Sequence, residues 1–281
     1  MRMDTWPEVN KRYRAEWTGR GQGVATDGVS WFVTQNDSRP GVSRYSADFS
    51  TLEVRAEIPR SVAGHVGAVS IVDGIVSIAL ESPQAVITYN RDLVQKSFVA
   101  IDRPVERDNM AHLAWCAVNP ANGLLYTSDW NFADTLSAYD PNTGLPRTDQ
   151  NIDLSEPVHR VQGGAFTATG QVYLASDDLL SIPEWIRKTL RIGGKLRQNF
   201  PGIHCFDAAS GQKTDYRRVP VRPWPPFFEE IEGLGIGEIE IDGVTTHVHL
   251  SFLDKNHSWV RDDVVIKSYA VPSLTTTIAD P

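Results

Sequence analysis

Five polar residues stand at matching points of a recurring segment: Gln22, His65, His112, Gln162 and Glu232, separated in turn by 43, 47, 50 and 70 residues. Brought together, two imidazoles, two amides and one carboxylate would form a divalent-metal site. Neutral imidazole suits zinc and other transition metals, and the oxygens of Gln and Glu widen the choice to calcium or manganese. The same ring could instead be a hydrogen-bonded plug of side chains and water. His159, Glu229 and Glu230 lie two or three residues upstream of a ring position. Of these, Glu230 or His159 would be the acid/base group, removing a proton while a metal stabilises a developing oxyanion.

Residues so far apart in sequence become neighbours only if the segments that carry them are repeated around an axis. Each copy reads as a polar residue, a run of small and apolar residues, a glycine turn and a second strand-like run. A second register follows the first: a short apolar stretch ending in an aromatic at Tyr45, Tyr89, Tyr139, Phe206 and Tyr269. Hairpin signals separate the first two strands at Thr26-Asp27-Gly28, Asp73-Gly74, Asn119 to Gly123, Thr169-Gly170 and Asp242-Gly243. Such pairs supply the positive φ that tight hairpins need. Repeats of this length cannot bury their own apolar faces and must stack. The expectation is one all-β domain over residues 1–281, a five-bladed β-propeller with blades near 18–60, 61–104, 108–155, 158–221 and 228–281. Either a C-terminal strand (273–279) or the segment before Trp17 would complete the last blade.

At the level of these repeats the chain resembles the non-WD β-propellers, the group that includes senescence-marker/gluconolactonase-like proteins and bacterial propeller lyases. Gln22-Gly23, Gln162-Gly163-Gly164 and Tyr139-Asp140 carry the resemblance. It implies fold and not activity. Propeller lyases acting on uronates set His and Gln side chains around a central metal, which makes the ring here similar in design. Five-bladed glycosidases use carboxylates from different inner strands, a pattern for which only Glu232 and its neighbours Glu229 and Glu230 would serve.

In a four-stranded meander, the start of the first strand and the connections from second to third and from fourth to first share one face of the disc. The long connections fall there, and long loops on a rigid scaffold carry binding or catalysis. The longest, 179–200, is expected to be helical: Ser181-Ile182-Pro183-Glu184 fits a capping box, and Gly193-Gly194 would end it. Its Trp185 and Arg187 would touch substrate, unless the helix merely packs over the rim. Trp224, Phe227 and Phe228 would wall a pocket or plug the channel. Asp129, Trp130 and Asp177 complete the expected substrate contacts, Asp129 and Asp177 because both follow a serine at a strand end.

The net charge of -8 argues against nucleic acid or an anionic membrane as partner. No run of about 18 apolar residues marks a membrane span, and no signal-like apolar core precedes Trp17, so a cytoplasmic location is the default expectation. No phosphate loop, Gly-x-Ser-x-Gly elbow or His-Glu-x-x-His helix occurs, and no nucleotide cofactor is expected. Cys116 and Cys205 read as buried thiols, with one disulfide as the alternative. The composite expectation is an enzyme acting on a small molecule at the loop-rich end of the channel, as a lyase, hydrolase or cyclase/isomerase. The rival is a non-catalytic propeller that binds a glycan or a protein.

Overall fold

The computed structural model describes residues 3, 6–13, 21–36, 38–103, 113–177, 201–219, 223–224, 227–254 and 264–271, with the backbone alone for 10–13, 223–224, 227–229, 253–254 and 264. The strands in chain order begin with β1 (Glu8–Tyr13). Blade one is β2 (Gly21–Thr26), β3 (Ser30–Gln35), β4 (Gly41–Ser46) and β5 (Leu52–Glu57). Blade two is β6 (Val66–Val72), β7 (Ile75–Leu80), β8 (Ala85–Tyr89) and β9 (Gln95–Ala100). Blade three is β10 (Ala117–Val118), β11 (Leu125–Ser128), β12 (Ala133–Tyr139) and β13 (Ile152–Val158), and blade four is β14 (Val161–Phe166), β15 (Gln171–Ser176), β16 (Gly202–Asp207) and β17 (Lys213–Arg218). A two-residue strand, β18 (Pro223–Trp224), leads into β19 (Phe227–Ile241), β20 (Val244–Asp254) and β21 (Val264–Tyr269). Five separate antiparallel sheets result, each a simple meander, and together they form a five-bladed β-propeller.

The outer strand of the fifth blade is β1, paired antiparallel to β21 from Glu8↔Tyr269 to Tyr13↔Val264. Of the two closures the sequence allows, the N-terminal segment makes this one. The expected helix at 179–200 lies outside the described residues.

The core is five layers, one between each pair of neighbouring blades. Val24, Trp31 and Val33 pack against Ile239 and Ile266 of blade five, whereas Ala25 and Phe32 pack against blade two. Val172 and Leu174 face blade three, and Tyr173 and Ala175 face blade five. Successive side chains of a strand point to opposite faces, and here both faces are covered. That is why inner and second strands read as nearly unbroken apolar runs. Cys116 and Cys205 sit in different layers, and both are free thiols.

Glycine lets the inner strands close on the axis. A Cβ placed on Gly233 would stand 2.6 Å from the Cα of Gly23, and one on Gly23 would stand 2.7 Å from the Cα of Ala68. The Ala68 N–H even donates to the Ala114 carbonyl of blade three at 2.8 Å. That bond explains why blade three's inner strand, expected from His112 onward, is regular only over Ala117–Val118: part of its backbone bonds to the next blade. Gly233→Ala is expected to destabilise the protein by about 1–3 kcal/mol, the usual cost of overpacking against backbone that cannot yield. Urea denaturation checks it.

Candidate functional site

The inner strands share a defect at the polar ring. In blade one Gly21 pairs with Gln35 and Gly23 with Thr34, leaving Gln22 as the extra residue of a β-bulge. Gln162 is extra between Val161 and Gly163, and Glu232 between Ile231 and Gly233. A bulge bends the strand and re-aims a side chain, so the three are presented alike in blades one, four and five. Blade two has its bulge at Gly67 and Ala68, between Val66 and Val69. His65 therefore stands two places ahead of the ring, in line with Arg160 and Glu230. Overlaying the sequence copies puts blade two two residues out of step, since a bulge leaves no mark in composition.

Arg160 organises the mouth, and sequence reading passed over it. It lies between β13 and β14 with φ 50°, away from the hairpin turns where left-handed Asp73 and Asp242 occur. For a residue with a Cβ this conformation is strained and marks a site worth inspection. From it, Nη2 reaches Asp177 Oδ2 at 3.2 Å and Glu230 Oε1 at 3.1 Å. The guanidinium lies 5.1 Å from the centre of the Trp130 ring. Trp130 in turn donates its Nε1–H to Gln162 Oε1 at 3.1 Å. The Asp177 N–H donates to the Arg160 carbonyl at 3.0 Å, and Asp177 Oδ1 accepts the Ile231 N–H at 3.2 Å. Blades three, four and five thus meet through one cation.

Burial pushes the Asp177 carboxyl up to about 8; Arg160 pulls it down, and the neighbouring Glu230 raises it further. Asp177 therefore holds its proton at neutral pH. An unfolded Asp loses its proton near pH 3.9. Between about pH 4 and pH 8 the folded protein therefore holds a proton that the unfolded chain has lost, and stability falls as pH rises through that window. An amide in place of this carboxyl cannot ionise. Asp177→Asn is expected to remove this slope, with the variant gaining on the wild type by up to a few kcal/mol between pH 5 and pH 8 in urea denaturation.

The other expected residues distribute as follows. His159 is held beside the cluster, its Nδ1 3.2 Å from the Asn131 carbonyl and its ring edge-on to Phe132 at 5.2 Å. Its own carbonyl accepts the Ser176 hydroxyl at 2.7 Å. Asp129 pairs with Arg103, a buried guanidinium that the sequence also did not single out. Trp224 and Phe227 pair in β18 and β19, so this stretch is in part a hairpin, and Glu230 sits in a strand opposite Leu253. Extension of β20 to Asp254 supplies the partner that makes this possible. His112, Trp185 and Arg187 lie outside the described residues.

Blade two repeats the Arg160 arrangement with other residues. The Glu81 N–H donates to the His65 carbonyl at 3.1 Å, and His65 Nδ1 lies 3.1 Å from Glu81 Oε1. Among the described residues no group of three His, Cys, Asp and Glu stands close enough to hold a metal ion. The described ring members bring two amides and one carboxylate, one amide already engaged by Trp130. His204, His247 and His249 are buried in the sheets instead. His249 accepts from Ser268 Oγ at 2.9 Å and donates to the Gly237 carbonyl at 2.7 Å, and burial lowers its pKa to about 4.

Solved structures share this architecture. The chain superposes on glutaminyl cyclase from Myxococcus xanthus with a TM-score of 0.57 at 10% identity, over 95% of this chain and 98% of that one. A nidogen/laminin complex gives 0.49 at 11% identity, over 94% and 99%. The likeness to the cyclase is one of fold, that of a β-propeller. No family model matches the chain, and no curated protein matches it in sequence. Among the described residues no helix is long and apolar enough to cross a membrane.

Proposed function

We propose that this propeller is an enzyme that moves protons on a small molecule at the mouth formed by blades three, four and five, with Glu230 as its acid/base group. One observation carries the reading: a guanidinium clamps two carboxyls, one fully buried and the other open to the mouth. Asp177 is fully buried and Glu230 is 13% exposed, so Asp177 stores the proton while Glu230 meets the substrate. Carboxyl groups pushed apart in this way are how a site obtains an acid and a base near pH 7. Trp130 and Gln162 would orient the substrate, and Asp129 and Arg103 would hold the Trp130 segment.

The resemblance in fold to a glutaminyl cyclase supports testing ring closure first. In that reaction an amine nitrogen attacks a side-chain amide carbon, the new C–N bond forms and ammonia leaves. Glu230 would take the proton from the attacking nitrogen and return it to the departing one. The test is ammonia release from N-terminal glutaminyl peptides, followed by uronate and lactone panels for the lyase and hydrolase alternatives. Turnover lost in Glu230→Gln supports the reading; wild-type protein inert on every panel, yet binding a glycan or protein, would make the fold a recognition module. No step is assigned to a metal, so activity is expected to survive chelator. Loss restored by calcium, manganese or zinc would move the chemistry to the ring of Gln22, Gln162 and Glu232.

A further inference from the structure

The outer strands of a propeller blade lie on the rim, where an unprotected edge invites pairing with another chain. Four of the five are protected. β5 carries Glu53, Arg55 and Glu57, and β1 carries Glu8, paired with Arg217. β13 has Asp153, Glu156 and Pro157, and its Ser155 N–H donates to Gly211 of blade four at 2.9 Å. β17 is crossed by the N-terminal segment, whose Met3 and Trp6 carbonyls accept from Arg217.

β9 departs from this pattern in composition. The N–H of Asp102, just past its end, donates to the Gly144 carbonyl of blade three at 3.2 Å, as Ser155 does to Gly211, but the strand itself lacks the charges of the others. It reads Gln95-Lys96-Ser97-Phe98-Val99-Ala100, with one charge, no carboxylate and no proline. Among the described residues no strand pairs with its outer edge. Phe98 is 42% exposed, and at the two flanking turns Val94 is 58% and Leu145 56% exposed. The large apolar side chains left exposed among the described residues, these three with Val29 and Ile75, all fall on blade two or on turns of its two neighbours. A concentration of this kind marks an interaction surface.

We propose that β9 is the seam of a homodimer, pairing antiparallel with β9 of a second copy about a two-fold axis through Ser97. The strand's own residues name the occupant. Centred on Ser97, the pairing sets Lys96 of each copy opposite Phe98 of the other, so each ammonium covers a ring. The protein already sets an ammonium over a ring across two of its own strands, with Lys267 Nζ 4.5 Å from the centre of the Phe252 ring on the diagonal. Two chains of net charge -8 repel, and β9 is the one outer strand that adds no carboxylate to the contact. A two-fold seam is self-complementary and closes at two copies, leaving no free edge.

Sedimentation velocity of the full chain, from low to high micromolar concentration, tests the seam. Wild type should shift from monomer to dimer. Phe98→Lys sets like charges against Lys96 and should weaken dimerisation by about tenfold or more. Phe98→Glu offers Lys96 an opposite charge and should stay dimeric. Phe98 is exposed, so at the low concentration where all three are monomeric the melting temperatures of both variants should match wild type. A wild type that stays monomeric throughout, a Phe98→Lys variant that dimerises like wild type, or a Phe98→Glu variant as monomeric as Phe98→Lys would each overturn the proposal.

Discussion

Glu230→Gln is expected to lower turnover by about 10²- to 10⁴-fold, the range supplied by a positioned acid/base group. The amide keeps the shape and can still accept from Arg160, but it cannot exchange a proton with Asp177 or with substrate. Stability should not fall with activity. Removing the Glu230 charge relieves Asp177 of a like neighbour and leaves the Arg160 guanidinium to a single carboxyl, so the ion pair simplifies. Steady-state kinetics with a parallel urea titration checks both halves. A variant that loses stability together with activity would place Glu230 in the scaffold rather than in the chemistry.

Arg160→Met should be the most damaging single change to the fold near the mouth, at about 3–5 kcal/mol, the cost of removing one partner from a buried ionic cluster. Methionine retains an apolar stem but removes the guanidinium beside Trp130 and leaves Asp177 and Glu230 without their cation. The loss depends on pH in a defined direction. Up to about pH 8 Asp177 holds its proton and asks little of a cation; above that pH it must ionise, in the variant with nothing to balance it, and the gap to wild type widens. Denaturation curves below and above this pH separate the electrostatic effect from a simple packing defect, which would be the same at both.

Turn chemistry was the most legible part of the chain. Asp73 and Gly74 take φ of 49° and 73°, and Asp242 and Gly243 take 51° and 77°, as hairpins between first and second strands demand. Local rules of this kind act over two residues and leave a plain signature. The Gln-Gly and Glu-Gly pairs were legible as repeat markers, and the structure adds their reason: the polar member is the bulge, and the glycine admits the neighbouring backbone. Arg160 was not legible. Its partners lie 17 and 70 residues away, on the second strand of its own blade and the inner strand of the next, and nothing near it in sequence distinguishes a clamped guanidinium from a solvated one. Asp177 was singled out for following a serine at a strand end, but its buried ion pair appears only once three blades are assembled. His65 shows a third kind of limit, where the repeat was correctly seen and its register was off by two residues.

The pairing of β1 with β21 has a bearing on how the molecule is made. The strand that leaves the ribosome early is a partner for one that leaves late, and blades one to four can each complete their sheets while the fifth still lacks its outer strand. Until Glu8–Tyr13 finds Val264–Tyr269, blades one and five have no covalent or hydrogen-bonded reason to touch. Contacts this distant in sequence form slowly. The nascent protein should therefore pass through an open crescent whose end blades expose the apolar layers that later seal against each other, and latching of the first strand is the event that turns the crescent into a ring.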